Sequence, residues 1–221
     1  MSRWLRTAWD HPSAVLLFAQ LLGVLLYPFM AESAMGRGLL SLFALIVLVL
    51  AVRAVRATPA WTWVAFLLGL PVVVFTVLEA LQPESSAILL WSSVLHAAFY
   101  FYTSYGLIRY MFKDRIVTPD ELFATGATFT VVAWAFAYVY VAAQVVWSGS
   151  FTAAVDPGAA RSWMELLFLS FTTLTSTGLS DVIPVMAHTR SIVMIEQVVG
   201  LMYVAFVISR IVGLMLYRER T

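Results

Sequence analysis

Thirteen consecutive residues, Thr172-Thr173-Leu174-Thr175-Ser176-Thr177-Gly178-Leu179-Ser180-Asp181-Val182-Ile183-Pro184, combine six hydroxyl side chains with a carboxylate and a glycine. Small hydroxyl residues around a glycine make a poor helix, so the main-chain carbonyls of such a stretch are left without helical partners. At membrane depth, non-helical backbone persists only where it is buried in protein or lines an aqueous cavity. Oxygen atoms presented in that setting suit a cation. Other chemistries find little support. The chain has no cysteine, and its three histidines (His11, His96 and His188) are far apart. No H-E-x-x-H motif occurs, and no nucleophile, base and orienting group stand together, so neither a zinc site nor an enzyme is expected. A net charge of +1 gives no reason to expect a nucleic-acid partner.

The elements around this stretch follow from apolar periodicity and caps. Ser162 and Glu165 have capping-box spacing, which starts a helix. The apolar run after them is about eleven residues, roughly 16 Å at a rise of about 1.5 Å per residue, too short to span a bilayer and suited to a re-entrant helix. The C-terminus of that helix would aim its negative dipole end at the hydroxyl stretch, again favouring a cation. Over the whole chain 62% of residues are hydrophobic and 11% charged, a composition whose natural solvent is lipid. Six apolar runs approach the length of a membrane span: Ala14 to Ala31, Leu39 to Val55, Trp61 to Leu81, Ala87 to Tyr110, Phe123 to Val146, and Ser191 to Tyr217. Pro71 predicts a kink in the third. The fold class expected is an all-α integral membrane protein with six transmembrane helices and a re-entrant helix and loop between spans five and six.

Basic residues orient the spans. Arg3, Arg6, Arg53, Arg56, Arg109, Lys113, Arg115, Arg218 and Arg220 gather at alternate ends, nine of thirteen in all, which predicts both termini cytoplasmic in a multi-pass protein of the cell (inner) membrane. Trp9, Trp61, Trp63 and Trp147 fit interfacial belts. A cleaved signal peptide ending near Ala31-Glu32-Ser33 is the alternative for the first run, whose 18 apolar residues exceed a usual h-region and favour a retained span. Thr118-Pro119-Asp120-Glu121 is a second helix start and divides the chain into a four-helix unit, 1–117, and a pore unit, 118–221.

At 172–184 the chain resembles the pore loop of potassium channels, whose pattern is T-x-T-T-V-G-Y-G-D-x-x-P. Thr175 falls on the threonine at the cavity side of the filter. Ser176, Thr177 and Gly178 fall on T-V-G, Asp181 on the aspartate of the outer mouth, and Pro184 on the proline beyond. Arg190 and Gly200 match the basic residue that starts the inner helix and its hinge glycine. The resemblance covers about Pro119 to Arg220 and implies a bacterial six-span member of the family. It implies a homotetramer in membrane lipid with one central pore, a filter formed by Thr175, Ser176, Thr177, Gly178, Leu179 and Ser180, and potassium as the permeant ion. No other cofactor is implied.

The sequence departs from that pattern at two positions. Leu179 replaces the tyrosine whose hydrogen bond holds the filter at one width. Ser180 replaces the second glycine, and a serine in a left-handed conformation costs about 1–2 kcal/mol. A divergent filter follows, with reduced selectivity that extends to sodium. A non-conducting regulatory or scaffold protein with a degenerate pore, and a secondary transporter, are the competing functions. Asp181 would form a carboxylate ring at the mouth or anchor to the pore helix. Glu196, inside the sixth span, is expected to hydrogen-bond the back of the pore helix at Thr172 or Thr173 as pore support. Gly200 is a hinge, or a close-packing glycine against span five. Glu79 is expected to snorkel to the interface, and His96 to be a buried, hydrogen-bonded histidine, with pH sensing as its alternative. The fourth run carries no basic residue between Ala87 and Ile108, so the four-helix unit is sensor-like in number of spans but lacks sensor arginines.

Overall fold

The fold comes from a computed structural model, which describes residues 11–30, 33–113 and 118–218. Expectations at Arg3, Arg6, Trp9, Arg115, Arg220 and the Ala31-Glu32 site lie outside the described residues, as do residues 114–117 ahead of the unit boundary. In chain order the helices are α1 (Pro12–Met30), α2 (Ala34–Arg56), α3 (Thr62–Leu81), α4 (Ser86–Met111), α5 (Pro119–Val146), α6 (Trp163–Leu174) and α7 (Ala187–Arg218). Two short strands, β1 (Phe151–Thr152) and β2 (Ile183–Pro184), pair antiparallel, with Phe151 opposite Pro184. They amend the all-α expectation. The loop after α5 and the segment leaving the hydroxyl stretch both run along the same end of the protein, and pairing satisfies their backbone groups there.

Among the described residues, five helices are long and apolar enough to cross a membrane: Pro12–Met30, Gly38–Arg56, Thr62–Leu81, Pro119–Val146 and Ala187–Arg210. The fourth run is where the count departs from six. Helix α4 is long enough at 26 residues, but Ser92, Ser93, His96, Thr103 and Ser104 lower its hydropathy. Those groups are buried, and several hydroxyls return to their own helix, as Ser93 Oγ does to Leu89 O at 2.7 Å and Thr103 Oγ1 to Phe99 O at 2.9 Å. Helix α3 runs on through Pro71 without a break in its assignment.

Helix α5 is the central strut. In its membrane-length window 61% of residues are buried, against 28% or less for the other four spans. It packs on α1, α4, α6 and α7. Small buried residues, among them Ala124, Ala127, Ala133, Ala135 and Ala137, let neighbouring backbones come close. Polar ties add register. Asp120 Oδ1 and Oδ2 accept from Ser13 N (3.2 Å) and Ser13 Oγ (2.9 Å), so one carboxylate serves the N-terminal turns of both α1 and α5. Thr130 Oγ1 donates to Gln20 Oε1 at 2.7 Å. The predicted start of α5 is present as a full capping box between Thr118 and Glu121.

Within the first four helices, Glu79 does not act only as an interfacial snorkel. Its Oε2 accepts from Ser92 Oγ of α4 at 2.7 Å, because a carboxylate near a neighbouring hydroxyl gains more from that bond than from reaching outward. His96 is buried, with Nδ1 2.8 Å from Ser92 O and Nε2 3.3 Å from Thr76 Oγ1, and its ring stacks on Tyr138 of α5 at 4.4 Å.

Candidate functional site

The site is assembled from the C-terminal end of α5, all of α6, the segment after it, and the N-terminal half of α7. Helix α6 starts on the predicted capping box. Glu165 N donates to Ser162 Oγ (3.3 Å), and Ser162 N donates to Glu165 Oε2 (2.7 Å). Partial burial works against the charged form of Glu165, but the Ser162 hydrogen bonds and the Arg161 guanidinium outweigh it and hold this carboxyl below its ordinary value. Arg161 is a residue whose role has no local sequence signal. It is buried, and its guanidinium reaches Val155 O (3.2 Å), Asp156 O (2.5 Å), Ala159 O (2.9 Å from Nε) and Glu165 Oε1 (3.3 Å). Its main chain is gripped by Gln144 of α5, which donates to Arg161 O (3.0 Å) and accepts from Arg161 N (2.7 Å). The loop before α6 and the start of α6 are thereby fixed to α5.

Helix α6 has 12 residues, about 18 Å at a rise of about 1.5 Å each, so it is shorter than a roughly 30 Å hydrocarbon core. Its C-terminus closes in a defined way. Ser176 N donates to Thr173 O (3.0 Å), Thr177 N to Thr172 O (3.0 Å), and Gly178 N also to Thr172 O (3.1 Å). Ser176 has φ +58°. This is the hydrogen-bond pattern of a Schellman motif, with serine at the left-handed position that glycine usually takes. The strain expected at Ser180 therefore lies elsewhere. Among the described residues positive φ occurs at Asp156, Ser176, Gly149 and Gly178, and Ser180 is not one of them. Ser180 instead takes a local role: its Oγ accepts from Val182 N at 3.1 Å. A short hydroxyl side chain prefers that turn bond to an exposed left-handed backbone.

The amides of 175–178 are thus spent on the end of α6, whereas the main-chain oxygens of 175–181, like the amides of 179–181, make no hydrogen bond among the described residues. Thr175, Ser176, Thr177, Gly178 and Leu179 are all exposed in the single chain, Leu179 at 78%. Thr175 Oγ1 lies 3.0 Å from Thr177 Oγ1 and donates to Phe171 O at 2.7 Å. Asp181 is exposed and has no hydrogen-bond partner among the described residues, so the anchor to α6 considered for it is not made within the chain.

Behind this segment lies a sealed polar contact. Glu196 of α7 has no exposed surface and accepts from Tyr140 of α5 and from Ser170 of α6. Ser170 Oγ also lies 2.9 Å from Ala133 O. Three helices meet on one carboxyl group. The partner on α6 is Ser170, not Thr172 or Thr173. Thr172 Oγ1 turns back to Leu169 O at 2.9 Å, and helical geometry puts position 170, two residues earlier, on the face towards α5 and α7.

Gly200 lies inside the continuous helix α7, against the last turn of α6. A Cβ there would collide with the Leu174 carbonyl oxygen and stand 2.8 Å from its carbon and 3.0 Å from its Cα. The close packing considered for this glycine is made with α6 instead of α5. Below it, Tyr203 OH donates to Thr125 O of α5 at 2.6 Å, and Arg210 Nη2 lies 3.5 Å from Glu121 Oε2. Arg190, at the other end of α7, donates from Nε to Pro184 O at 3.1 Å. A recess of about 620 Å³ separates α7 from the hydroxyl segment, and Thr172, Ser176, Gly178, Ser180, Gln197 and Leu201 are among its lining residues. Among the described residues no group of three or more His, Asp or Glu could hold a metal ion.

Residues 126–217 match a protein-family model described as an ion channel. The match begins inside α5, ends inside α7, and contains α6, the hydroxyl segment, Tyr140, Glu196 and Gly200. It covers somewhat less than half of the chain and supports ion-channel function in a multi-pass membrane protein. No curated protein and no solved structure matches the chain.

Proposed function

We propose that the chain assembles as a ring of four copies around the segment 175–181 and passes monovalent cations, potassium with incomplete discrimination against sodium, down their gradient. In this reading α6 is re-entrant, α4 also crosses the membrane and brings the spans to six, and both termini face the cytoplasm of a cell whose inner membrane holds the protein. Each ring position contributes one filter segment, because a single short loop cannot encircle an ion.

The observation that carries the reading is the imbalance of hydrogen bonding at the end of α6. The amides of Thr175, Ser176, Thr177 and Gly178 are used, and the carbonyls of the same four residues are not. Unpaired carbonyls at the end of a short apolar helix are costly unless something else coordinates them, and a dehydrated monovalent cation does so. The helix also directs its negative end to that point. Weak selectivity is supported by Leu179 and Ser180. Ser180 does not take the positive φ that an alternating filter backbone needs at that position, and Leu179 offers no hydrogen bond to hold the width.

Purified full-length chain in liposomes, loaded with potassium or sodium and followed by counter-flux, tests the reading. Expected are a tetramer by native mass spectrometry and flux of both ions with potassium faster. A tetramer without flux would favour the regulatory or scaffold alternative. Saturable, coupled uptake by a monomer or dimer would favour a transporter.

A further inference from the structure

Gln197 follows Glu196 on α7 but faces the other way: Glu196 is fully buried and Gln197 is exposed. The side chains around it on that face, Met194, Val198 and Leu201, are apolar and exposed. It lies within the apolar span Ala187–Arg210, where a lone amide facing lipid would have nothing to bond. Two other interior glutamines are paired, Gln20 with Thr130 and Gln144 with the backbone of Arg161. The amide of Gln197 has no hydrogen-bond partner among the described residues, although it lines the same recess as Thr172, Thr173, Ser176, Gly178 and Ser180.

The occupant of that recess has to suit two textures, an apolar helix face carrying one amide and a wall of hydroxyl residues. A lipid acyl chain suits the first and leaves the amide unpaired. A second copy of this chain suits both, since it brings the same hydroxyl-rich segment and the same helix face to the same axis. Leu179, at 78% exposure, shows that the side chain standing where the resembled family has its bracing tyrosine supplies no polar contact here.

Resting on the ring proposed above, we infer that Gln197 of each copy hydrogen-bonds the filter segment of the next copy and sets the filter's width. The brace has moved from the filter to the inner helix. A filter held across the subunit boundary is sensitive to a single side chain on α7 that touches no ion.

Full-length Gln197→Met, which keeps the length of the side chain and removes its amide, is compared in liposomes with wild type and with Gln82→Met at the outer end of α3. Expected for Gln197→Met is an intact tetramer whose sodium-to-potassium permeability ratio changes about fivefold, the equivalent of about 1 kcal/mol. The Gln82 variant should keep the wild-type ratio. A tetrameric Gln197→Met with the wild-type ratio overturns the inference and leaves the channel reading standing. So does a variant that becomes more stable to heat at unchanged ratio, which marks a lipid-facing side chain. Wild-type protein that carries no ions overturns both. Should Gln197→Met fail to assemble, Gln197→Asn withdraws the amide by one methylene, and a wild-type ratio in that tetramer also refutes the brace.

Discussion

Gly200→Ala separates a hinge from a packing contact. A hinge glycine replaced by alanine stiffens α7 and leaves the filter where it was. In this structure the added Cβ would overlap the Leu174 carbonyl, with the carbonyl carbon 2.8 Å away and Cα 3.0 Å away. Ordinary carbon contacts lie at about 3.5–4.0 Å, so α6 and α7 must part by roughly 1 Å at this point. The obstructing atoms are backbone, and they belong to the residue directly before the Thr175 cap, so a side-chain rotation cannot relieve the clash. Overpacking of this kind costs about 1–3 kcal/mol. Alanine returns about 1 kcal/mol as the better helix former. The cost exceeds the gain, and the displacement passes directly into the segment proposed as the filter. Unfolding of the detergent-solubilised protein, followed by heat or denaturant, should shift to lower stability. The potassium-to-sodium ratio in liposomes should change with it. Gly69→Ala is the control, since a Cβ there would first meet Phe99 Cε2 at an ordinary 3.5 Å, and it should be neutral or stabilising. A Gly200→Ala protein with wild-type stability and wild-type ratio, altered only in the rate of opening, would refute the packing argument and restore the hinge.

Ser176→Gly removes a side chain from a residue at φ +58° and should stabilise the end of α6 by about 1 kcal/mol, read as a higher unfolding midpoint. Glu196→Leu leaves the hydroxyls of Tyr140 and Ser170 without their shared partner. It should cost about 1–3 kcal/mol, whereas Glu196→Gln, which keeps an acceptor, should cost less; equal losses in the two variants would contradict the arrangement. Glu165 has a carboxyl held below its ordinary value, so its contribution is fully present above the unfolded value and is lost as pH falls through the folded one. Acidification should therefore loosen the start of α6, seen as faster amide exchange at 163–167 below the ordinary glutamate range, and Glu165→Gln should remove that pH dependence.

What could be read from the chain alone was local or periodic. Both capping boxes, Thr118 with Glu121 and Ser162 with Glu165, involve residues three apart, and their geometry follows from any helix start at that point. The apolar runs place the helices within a few residues, since each is a long, unbroken signal. Helix α4 was less legible because its hydroxyls are scattered among aromatic residues, and only packing shows them buried and bonded to their own helix.

Tertiary structure decided which distant residues share an atom. The sequence points to Thr172 or Thr173 as the partner of Glu196; the approach of α5 chooses Ser170. Whether Gly200 bends or packs depends on the distance between two helices joined by a long loop, and no pattern inside α7 encodes that distance. The left-handed residue is Ser176 and not Ser180 because the closing turn of α6 claims the amides of 176–178, a competition between backbone groups that residue types alone do not rank. Spacing along the chain specifies contacts within a helix turn, whereas contacts between helices depend on their separation and rotation, which are set by the packing of the whole molecule.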